Sequence, residues 1–184
     1  MTEDRKPSPF CALIVMGVSG SGKTTAAVEL AKRIGWIFKD GDDCHSQHDI
    51  EKMHAGHPLD DRDRMPWLHT IAAEIARRRQ AQKPIVIACS ALKRAYRDIL
   101  VAGHSDVRII YLKGSHDLIA ARLASRKGHF MPPRLLDSQF DALEEPREDE
   151  HPIVVGIDAP VDKIVDHIVE QLRKVGIGTS GIGP

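Results

Sequence analysis

Short apolar segments alternate along the chain with longer amphipathic ones. Most of the short segments are continuous apolar runs, not alternations with polar residues, which is typical of parallel strands covered by helices on both faces. The pattern predicts five strands, at residues 11–16, 36–39, 85–89, 107–112 and 153–157. We expect these strands to form one parallel sheet.

The longer segments carry apolar residues at helical spacing. In residues 66–82, Leu68, Ile71 and Ile75 share one face, and the arginines at 77–79 lie where cations favour a helix end. Helices are predicted at residues 23–34, 66–82, 118–126 and 161–175. This alternation of strands and helices predicts an α/β fold, a three-layer sandwich around a five-stranded parallel sheet.

The length and composition of the chain limit the classes of protein to which it can belong. The 184 residues have no net charge and are 42% hydrophobic and 28% charged, as in an ordinary globular protein. We expect one domain at residues 10–175, a flexible arm at 1–9 and a flexible tail at 176–184. No partner nucleic acid or membrane is expected, because the chain has no basic excess and no run of about 20 apolar residues. Three cysteines without CxxC spacing indicate reduced thiols in a cytoplasmic protein.

Residues 17–24, Gly-Val-Ser-Gly-Ser-Gly-Lys-Thr, match the phosphate-binding motif G-x-x-x-x-G-K-[ST]. The motif follows the first predicted strand and opens the first predicted helix, so backbone N–H groups and the helix dipole can bind phosphates. We expect ATP to be bound by Gly17, Val18, Ser19, Gly20, Ser21, Gly22, Lys23, Thr24 and Thr25. Lys23 is the expected catalytic contact to the β- and γ-phosphates, and the Thr24 hydroxyl is the expected ligand of Mg²⁺.

The chain contains no asparagine, which excludes the Asn-Lys-x-Asp element with which GTPases recognise guanine. Its third predicted strand reads Ile-Val-Ile-Ala-Cys-Ser, without the aspartate of the usual Walker B strand. That departure is typical of small-metabolite kinases, in which the metal is partly held from the second strand. The pattern therefore favours a kinase over a GTPase.

Asp40 and Asp42 follow the second predicted strand. Carboxylates at i and i+2 on a strand end point the same way, towards the phosphate site at the edge of the sheet. A transferase needs one carboxylate near the metal and a base near the attacking hydroxyl, so the pair suits phosphoryl transfer.

Residues 118–136 contain five basic side chains and no acidic one. Arg122 and Arg126 share a helix face, and Gly128 with the prolines at 132–133 interrupts the helix directly afterwards. This predicts a mobile lid at about 122–137 whose two arginines act catalytically by neutralising the transferred phosphoryl group. The alternative interpretation is a solvated basic helix face.

Several segments together resemble the gluconokinases of the gluconate-kinase family, in the same order and with similar spacing. They are DGDDCHSQHDIEKM (40–53), GHPLDDRDRMPWL (56–68), CSALKRAYRDIL (89–100), YLKG (111–114), RKGHFMP (126–132) and DSQFDALEEP (137–146). The resemblance implies transfer of the ATP γ-phosphate to the C6 hydroxyl of D-gluconate, giving 6-phospho-D-gluconate and ADP. It also implies a fold similar to shikimate and adenylate kinases, and a homodimer.

The resemblance assigns roles at matching positions. Asp40 would organise Mg²⁺ through water, Asp42 would hold the acceptor hydroxyl and act as base, and Arg122 and Arg126 would contact phosphate. The acceptor pocket would be lined by His45, Arg64, Trp67, Ser90, Lys93, Arg97 and His129. Among its cations Arg64 is the first choice for the sugar-acid carboxylate, because it precedes the expected helix start at Pro66.

Three positions depart from the family pattern: Ser46 replaces a usual proline, Asp49 a usual asparagine, and Arg62 an often acidic residue. Two alternative functions stay open. One is a kinase for another small sugar acid or a shikimate-like acceptor, and the other is a nucleotide-binding regulatory ATPase that has no acceptor.

Overall fold

Five parallel strands form one sheet in the structure, a computed structural model that describes residues 10–55, 57–125 and 133–176. The strands are β1 (Ala12–Met16), β2 (Ile37–Asp40), β3 (Ile85–Ala88), β4 (Val107–Lys113) and β5 (Ile153–Gly156), in the order β2-β3-β1-β4-β5. Each predicted strand is confirmed to within one residue at either end. The central strand is β1, so the loop that follows it opens at the middle of the sheet edge.

The described residues contain seven α-helices: α1 (Lys23–Ile34), α2 (Gln47–His54), α3 (Asp61–Gln80), α4 (Arg94–Val101), α5 (His116–Ser125), α6 (Pro133–Ala142) and α7 (Val161–Lys174). Helix α1 has the predicted bounds, and α5 and α7 lie close to theirs. Helices α2, α4 and α6 were not predicted, and each of them flanks the site described below.

The predicted start of α3 at Pro66 is wrong. The helix begins five residues earlier, at Asp61. The Asp60 carboxylate accepts the N–H groups of Arg62 and Asp63 over 2.8 and 3.0 Å, and Asp63 accepts the Asp60 N–H over 2.8 Å. This capping box fixes the start, and Pro66 is accommodated inside the helix. Arg64 therefore lies within α3, one turn before Trp67, and not in a preceding loop.

The two faces of the sheet are buried under different helices. Leu13 and Val15 of β1 belong to a core closed by α1 and α7, whereas Ile14 and Met16 belong to a core closed by α3 and α4. Because successive side chains of a strand point to opposite faces, one apolar run supplies both cores. The three-layer sandwich is confirmed.

Parts of the predicted organisation lie outside the described residues. These are the arm at 1–9, the tail from 177 onward and residues 126–132 of the predicted lid. Among the helices of the described residues, none combines the length and apolar content needed to cross a bilayer.

Candidate active site

The phosphate-binding motif forms the connection between β1 and α1. Gly20 has φ 83°, in the left-handed region that favours glycine. A Cβ atom at Gly20 would lie 2.8 Å from the Leu123 side chain of α5, closer than carbon atoms approach. The loop therefore packs directly against the helix that carries Arg122.

A cleft of about 650 Å³ opens over this loop. Three of the residues predicted to be catalytic, Lys23, Asp42 and Arg122, line it together although they lie on different elements. Its other lining residues include the loop residues from Ser19 to Ala26, together with Leu112, Leu123 and Ser125. The predicted residues Gly17 and Val18, which begin the loop, are both buried.

One wall of this cleft was not predicted. Ala159 and Pro160, in the connection from β5 to α7, line it together with Val161 at the start of α7. The Arg122 guanidinium donates to the carbonyl of Ile157 at the start of that connection. These residues are apolar and belong to no motif. Their position after a parallel strand nevertheless indicates a ligand site, because ligands bind at that edge of the sheet.

The two carboxylates after β2 have different surroundings. Asp40 ends β2, and its carboxylate accepts the Thr24 hydroxyl and the Asp42 N–H, each over 3.1 Å. Asp42 lies in a 3₁₀ turn at Gly41–Cys44, and its side chain lines the cleft and is 73% exposed. Thus Asp40 is tied to the phosphate loop, whereas Asp42 is open to an incoming group.

The backbone of the 3₁₀ turn is fixed between β3 and α3. A Cβ atom at Gly41 would lie 2.6 Å from the Ala88 carbonyl oxygen, so only glycine allows the turn to lie against β3. The buried indole N–H of Trp67 donates to the Gly41 carbonyl over 2.7 Å. Trp67 is therefore an anchor of the acidic turn, with only 3% of its surface exposed.

His45 stacks on Trp67, with ring centroids 4.3 Å apart. Its Nε2 atom lies 4.0 Å from Asp42 Oδ1, and its Nδ1 atom lies 3.8 Å from Asp49 Oδ2. Burial lowers the pKa of His45 although both carboxylates oppose that shift. The imidazole is thus held uncharged at neutral pH beside the exposed carboxylate.

Two of the departures from the family pattern compensate each other at the start of α2. The Ser46 hydroxyl accepts the Asp49 N–H over 3.1 Å, and the Asp49 carboxylate accepts the Ser46 N–H over 3.2 Å. A proline at position 46 could not donate that second bond. Ser46 and Asp49 therefore form a capping box, and the Asp49 carboxylate serves the helix start.

A second cleft, of about 500 Å³, lies between the start of α3, the start of α4 and α6. Arg64 and Lys93, two of the predicted acceptor residues, line it. Arg64 donates to the Tyr96 hydroxyl over 3.3 Å, and Lys93 donates to both oxygens of Asp61 over 2.8 and 2.9 Å. Hydrogen bonds from Lys93 and Tyr96 lower the pKa of Asp61. No ion pair joins Arg64 to Asp61 or Asp63 within the described residues.

The expectation that Arg97 lines the acceptor pocket is not supported by this geometry. Its side chain is 1% exposed and donates to both oxygens of Glu150, over 2.5 and 3.0 Å. It also donates to the carbonyls of Ala91 and Leu92, over 3.1 Å each. Arg97 therefore fixes the connection between β3 and α4 from inside the protein.

The remaining predicted residues are placed as follows. Ser90 is partly exposed and follows β3 at the same edge of the sheet as Asp40. Thr25 lines the cleft over the phosphate loop. Arg126 and His129 lie outside the described residues.

Comparison with known proteins gives a consistent result. Residues 13–147 match the family model described as an AAA domain. The chain is 46% identical over 178 residues to a probable gluconokinase of Mus musculus, covering 88% of this chain and 97% of that one. It is 44% identical over 162 residues to the thermoresistant gluconokinase of Escherichia coli (strain K12), covering 88% and 93%. The solved structure of a gluconokinase from Sinorhizobium meliloti 1021 superposes with a TM-score of 0.83 at 38% identity, covering 92% of this chain and 95% of that one.

Proposed function

The chain belongs to the gluconokinase family of P-loop kinases, and from this premise we propose that it phosphorylates D-gluconate. The reaction transfers the γ-phosphoryl group of ATP to the C6 hydroxyl and gives 6-phospho-D-gluconate and ADP. The observation that carries this proposal is that Lys23 and Asp42 line one cleft, so a phosphate-binding cation and an exposed carboxylate face the same space.

The chain's own residues supply the parts that phosphoryl transfer requires. The bond from the γ-phosphorus to the bridging oxygen of ADP breaks as the C6 oxygen bonds to the phosphorus. Asp42 accepts the hydroxyl proton, since its carboxylate is exposed and lines the cleft. Lys23 and Arg122 stabilise the negative charge on the phosphoryl oxygens from the loop and from α5.

Mg²⁺ is the proposed cofactor, with Thr24 and Asp40 as the residues that hold it. Their side-chain oxygens lie 3.1 Å apart at the phosphate loop, and oxygen ligands are those that Mg²⁺ prefers. Within the described ranges, no cluster of three or more His, Cys, Asp or Glu residues could hold a metal ion by itself. This fits an ion bound mainly by phosphate and water, which neutralises charge on the nucleotide when it is present.

The second cleft is the proposed site of the gluconate carboxylate. Arg64 offers a planar guanidinium, which can bind a carboxylate through two hydrogen bonds. Lys93 offers an ammonium group, which already donates to the Asp61 carboxylate. Trp67, with His45 stacked on it, supports the acidic turn. Ser90 and His129 are further proposed acceptor contacts, and Arg126 is a proposed phosphate contact.

The assembly is proposed from the family resemblance, and the compartment is proposed from the cysteines. We propose a homodimer, which light scattering coupled to gel filtration would test. The cytoplasmic proposal is supported by three cysteines that are all free thiols, with Cys89 buried. Burial raises the pKa of the Cys89 thiol to about 12, so this thiol stays protonated and unreactive.

The experiment that tests the proposed function is ADP release with a panel of acceptors. D-gluconate, two of its epimers, shikimate and glycerol would each be supplied with ATP and Mg²⁺. We expect rapid ADP release with D-gluconate and little without an acceptor. A rate independent of any acceptor would favour the regulatory ATPase instead, and a preference for shikimate would assign a different kinase.

A further inference from the structure

A side chain of helix α6, that of Gln139, hydrogen-bonds to the phosphate loop. The Gln139 carbonyl Oε1 accepts the Ser19 backbone N–H over 2.7 Å, and the Gln139 Nε2 donates to the Ser19 hydroxyl over 3.1 Å. Ser19 and Gln139 are 120 residues apart in sequence. Gln139 belongs to the segment DSQFDALEEP (137–146), and none of the residues of this segment has yet been given a role in the site.

The double contact matters because the loop is rich in glycine. Gly17, Gly20 and Gly22 all have positive φ angles, of 152°, 83° and 84°. Glycine loses more conformational freedom on ordering than any other residue, so such a loop is costly to hold in one shape. A side-chain amide that binds both polar groups of Ser19 restricts the loop before a nucleotide arrives. Within the loop the Ser21 N–H donates to the Val18 carbonyl over 3.2 Å, and the N-terminus of α1 is the part of the motif that favours phosphate.

The same helix also reaches the acceptor side. Ser138 and Ala142 of α6 line the second cleft with Arg64 and Lys93. Directly after α6, Glu144 accepts the Arg94 N–H over 2.7 Å and donates its own N–H to the Leu92 carbonyl over 2.9 Å. The two bonds therefore hold the residues on either side of Lys93, which are Leu92 and Arg94. Helix α6 is therefore attached to the phosphate loop by Gln139 and to the acceptor side by Glu144, which follows the helix.

We propose that Gln139 is a positioning residue that holds the phosphate loop ready for nucleotide and couples it to the acceptor cleft. A change at one cleft that shifts α6 must also shift Gln139, and with it Ser19. The coupling part rests on the proposed function, because it requires gluconate to occupy the acceptor cleft. The loop-holding part requires only that a nucleotide binds.

The loop-holding part is tested by calorimetric titration of the full-length protein with ADP in the presence of Mg²⁺. Gln139→Met keeps the length of the side chain but removes both hydrogen bonds, and we expect ADP to bind about tenfold more weakly, the scale of two modest hydrogen bonds. Asp141→Ala is the matched control, since Asp141 is an exposed residue of the same helix, and its ADP affinity should not change. Unchanged affinity of Gln139→Met with a lowered melting temperature would overturn the proposal and leave Gln139 a stabiliser of α6.

Ser19→Ala keeps the test decisive if Gln139→Met folds poorly. It removes only the hydroxyl partner of Gln139 Nε2, so ADP affinity should fall by about three- to fivefold, less than for Gln139→Met. In the double variant the Ser19→Ala effect should vanish, because the partner is already absent. Fully additive effects of the two changes would contradict a direct clamp.

The coupling part is tested by repeating the ADP titration with saturating gluconate. We expect gluconate to tighten ADP binding by about fivefold or more in the unaltered protein, within the usual range of coupled sites, and to have almost no effect in Gln139→Met. An equal gluconate effect in both proteins, or none in the unaltered protein, would overturn the coupling. Failure of the proposed function would show separately, as an absence of gluconate-dependent ADP release by the unaltered protein.

Discussion

The indole N–H of Trp67 lies 2.7 Å from the carbonyl oxygen of Gly41, the residue between Asp40 and Asp42. The two carboxylates proposed for metal and base are therefore positioned from α3, through one buried hydrogen bond. Because the bond lies beneath the turn and not in the cleft, it fixes geometry without contacting substrate.

Trp67→Phe should keep most of the buried ring while removing the donor. The unpaired Gly41 carbonyl then costs about 1–3 kcal/mol, and kcat should fall by roughly tenfold as the acidic turn loosens. The melting temperature should fall by roughly 3–10 °C for a chain of this size. Trp36→Phe is the control, since Trp36 is partly buried on the opposite face of the sheet. An unaltered kcat in Trp67→Phe would show that the turn holds its shape without the bond.

Lys23→Ala should abolish transfer while leaving the fold intact. Removing one preorganised charge contact to the phosphoryl group costs at least about 100-fold in rate. Lys32→Ala, at an exposed position near the end of the same helix, should retain full activity. Steady-state kinetics and circular dichroism check both variants, and a Lys23→Ala enzyme with unchanged kcat/KM would refute the assignment of the phosphate loop.

Asp40→Asn and Asp42→Asn should fail in different ways. Asp40 accepts the Thr24 hydroxyl at the proposed metal site, so a raised Mg²⁺ concentration should partly restore the activity of Asp40→Asn. Asp42→Asn removes the proposed base, so its low kcat should persist at saturating Mg²⁺. Asp43→Asn, in the same turn and exposed, is the control. Identical responses of the first two variants to Mg²⁺ would contradict the separation of roles.

Arg64→Lys should raise the KM for gluconate by about tenfold or more, since a charged hydrogen bond to a carboxylate contributes about 1.5–3 kcal/mol. Arg64 makes no direct ion pair with Asp61 or Asp63 in the described part of the chain, and its hydrogen bond goes to the Tyr96 hydroxyl. Arg78→Lys, which pairs with Glu74 further along α3, should leave the KM unchanged. A wild-type KM in Arg64→Lys would move the carboxylate site to Lys93.

The elements that could be predicted from sequence are those with a strong local signal. The continuous apolar strands and the phosphate motif are readable without knowledge of distant contacts. The capping box of Asp60 and Asp63, and not Pro66, sets the start of α3, and a similar box of Ser46 and Asp49 starts α2. Both helix starts therefore carry a local sequence signal.

The role of Arg97 could not have been read from sequence. Its partner Glu150 lies 53 residues further along the chain, and only the folded structure buries the pair. The contact from Gln139 to Ser19 is equally non-local. A basic or amide side chain in a recognisable motif does not indicate whether it faces ligand or protein, because that depends on packing between distant segments.

The most direct test of the account is the identity of the product formed from D-gluconate and ATP. Phosphorus and carbon NMR of the reaction mixture would locate the phosphate and count the ADP released for each gluconate consumed. The account predicts 6-phospho-D-gluconate as the product, with one ADP released for each molecule formed. Phosphate on another hydroxyl, or ATP turnover that leaves gluconate unchanged, would contradict it.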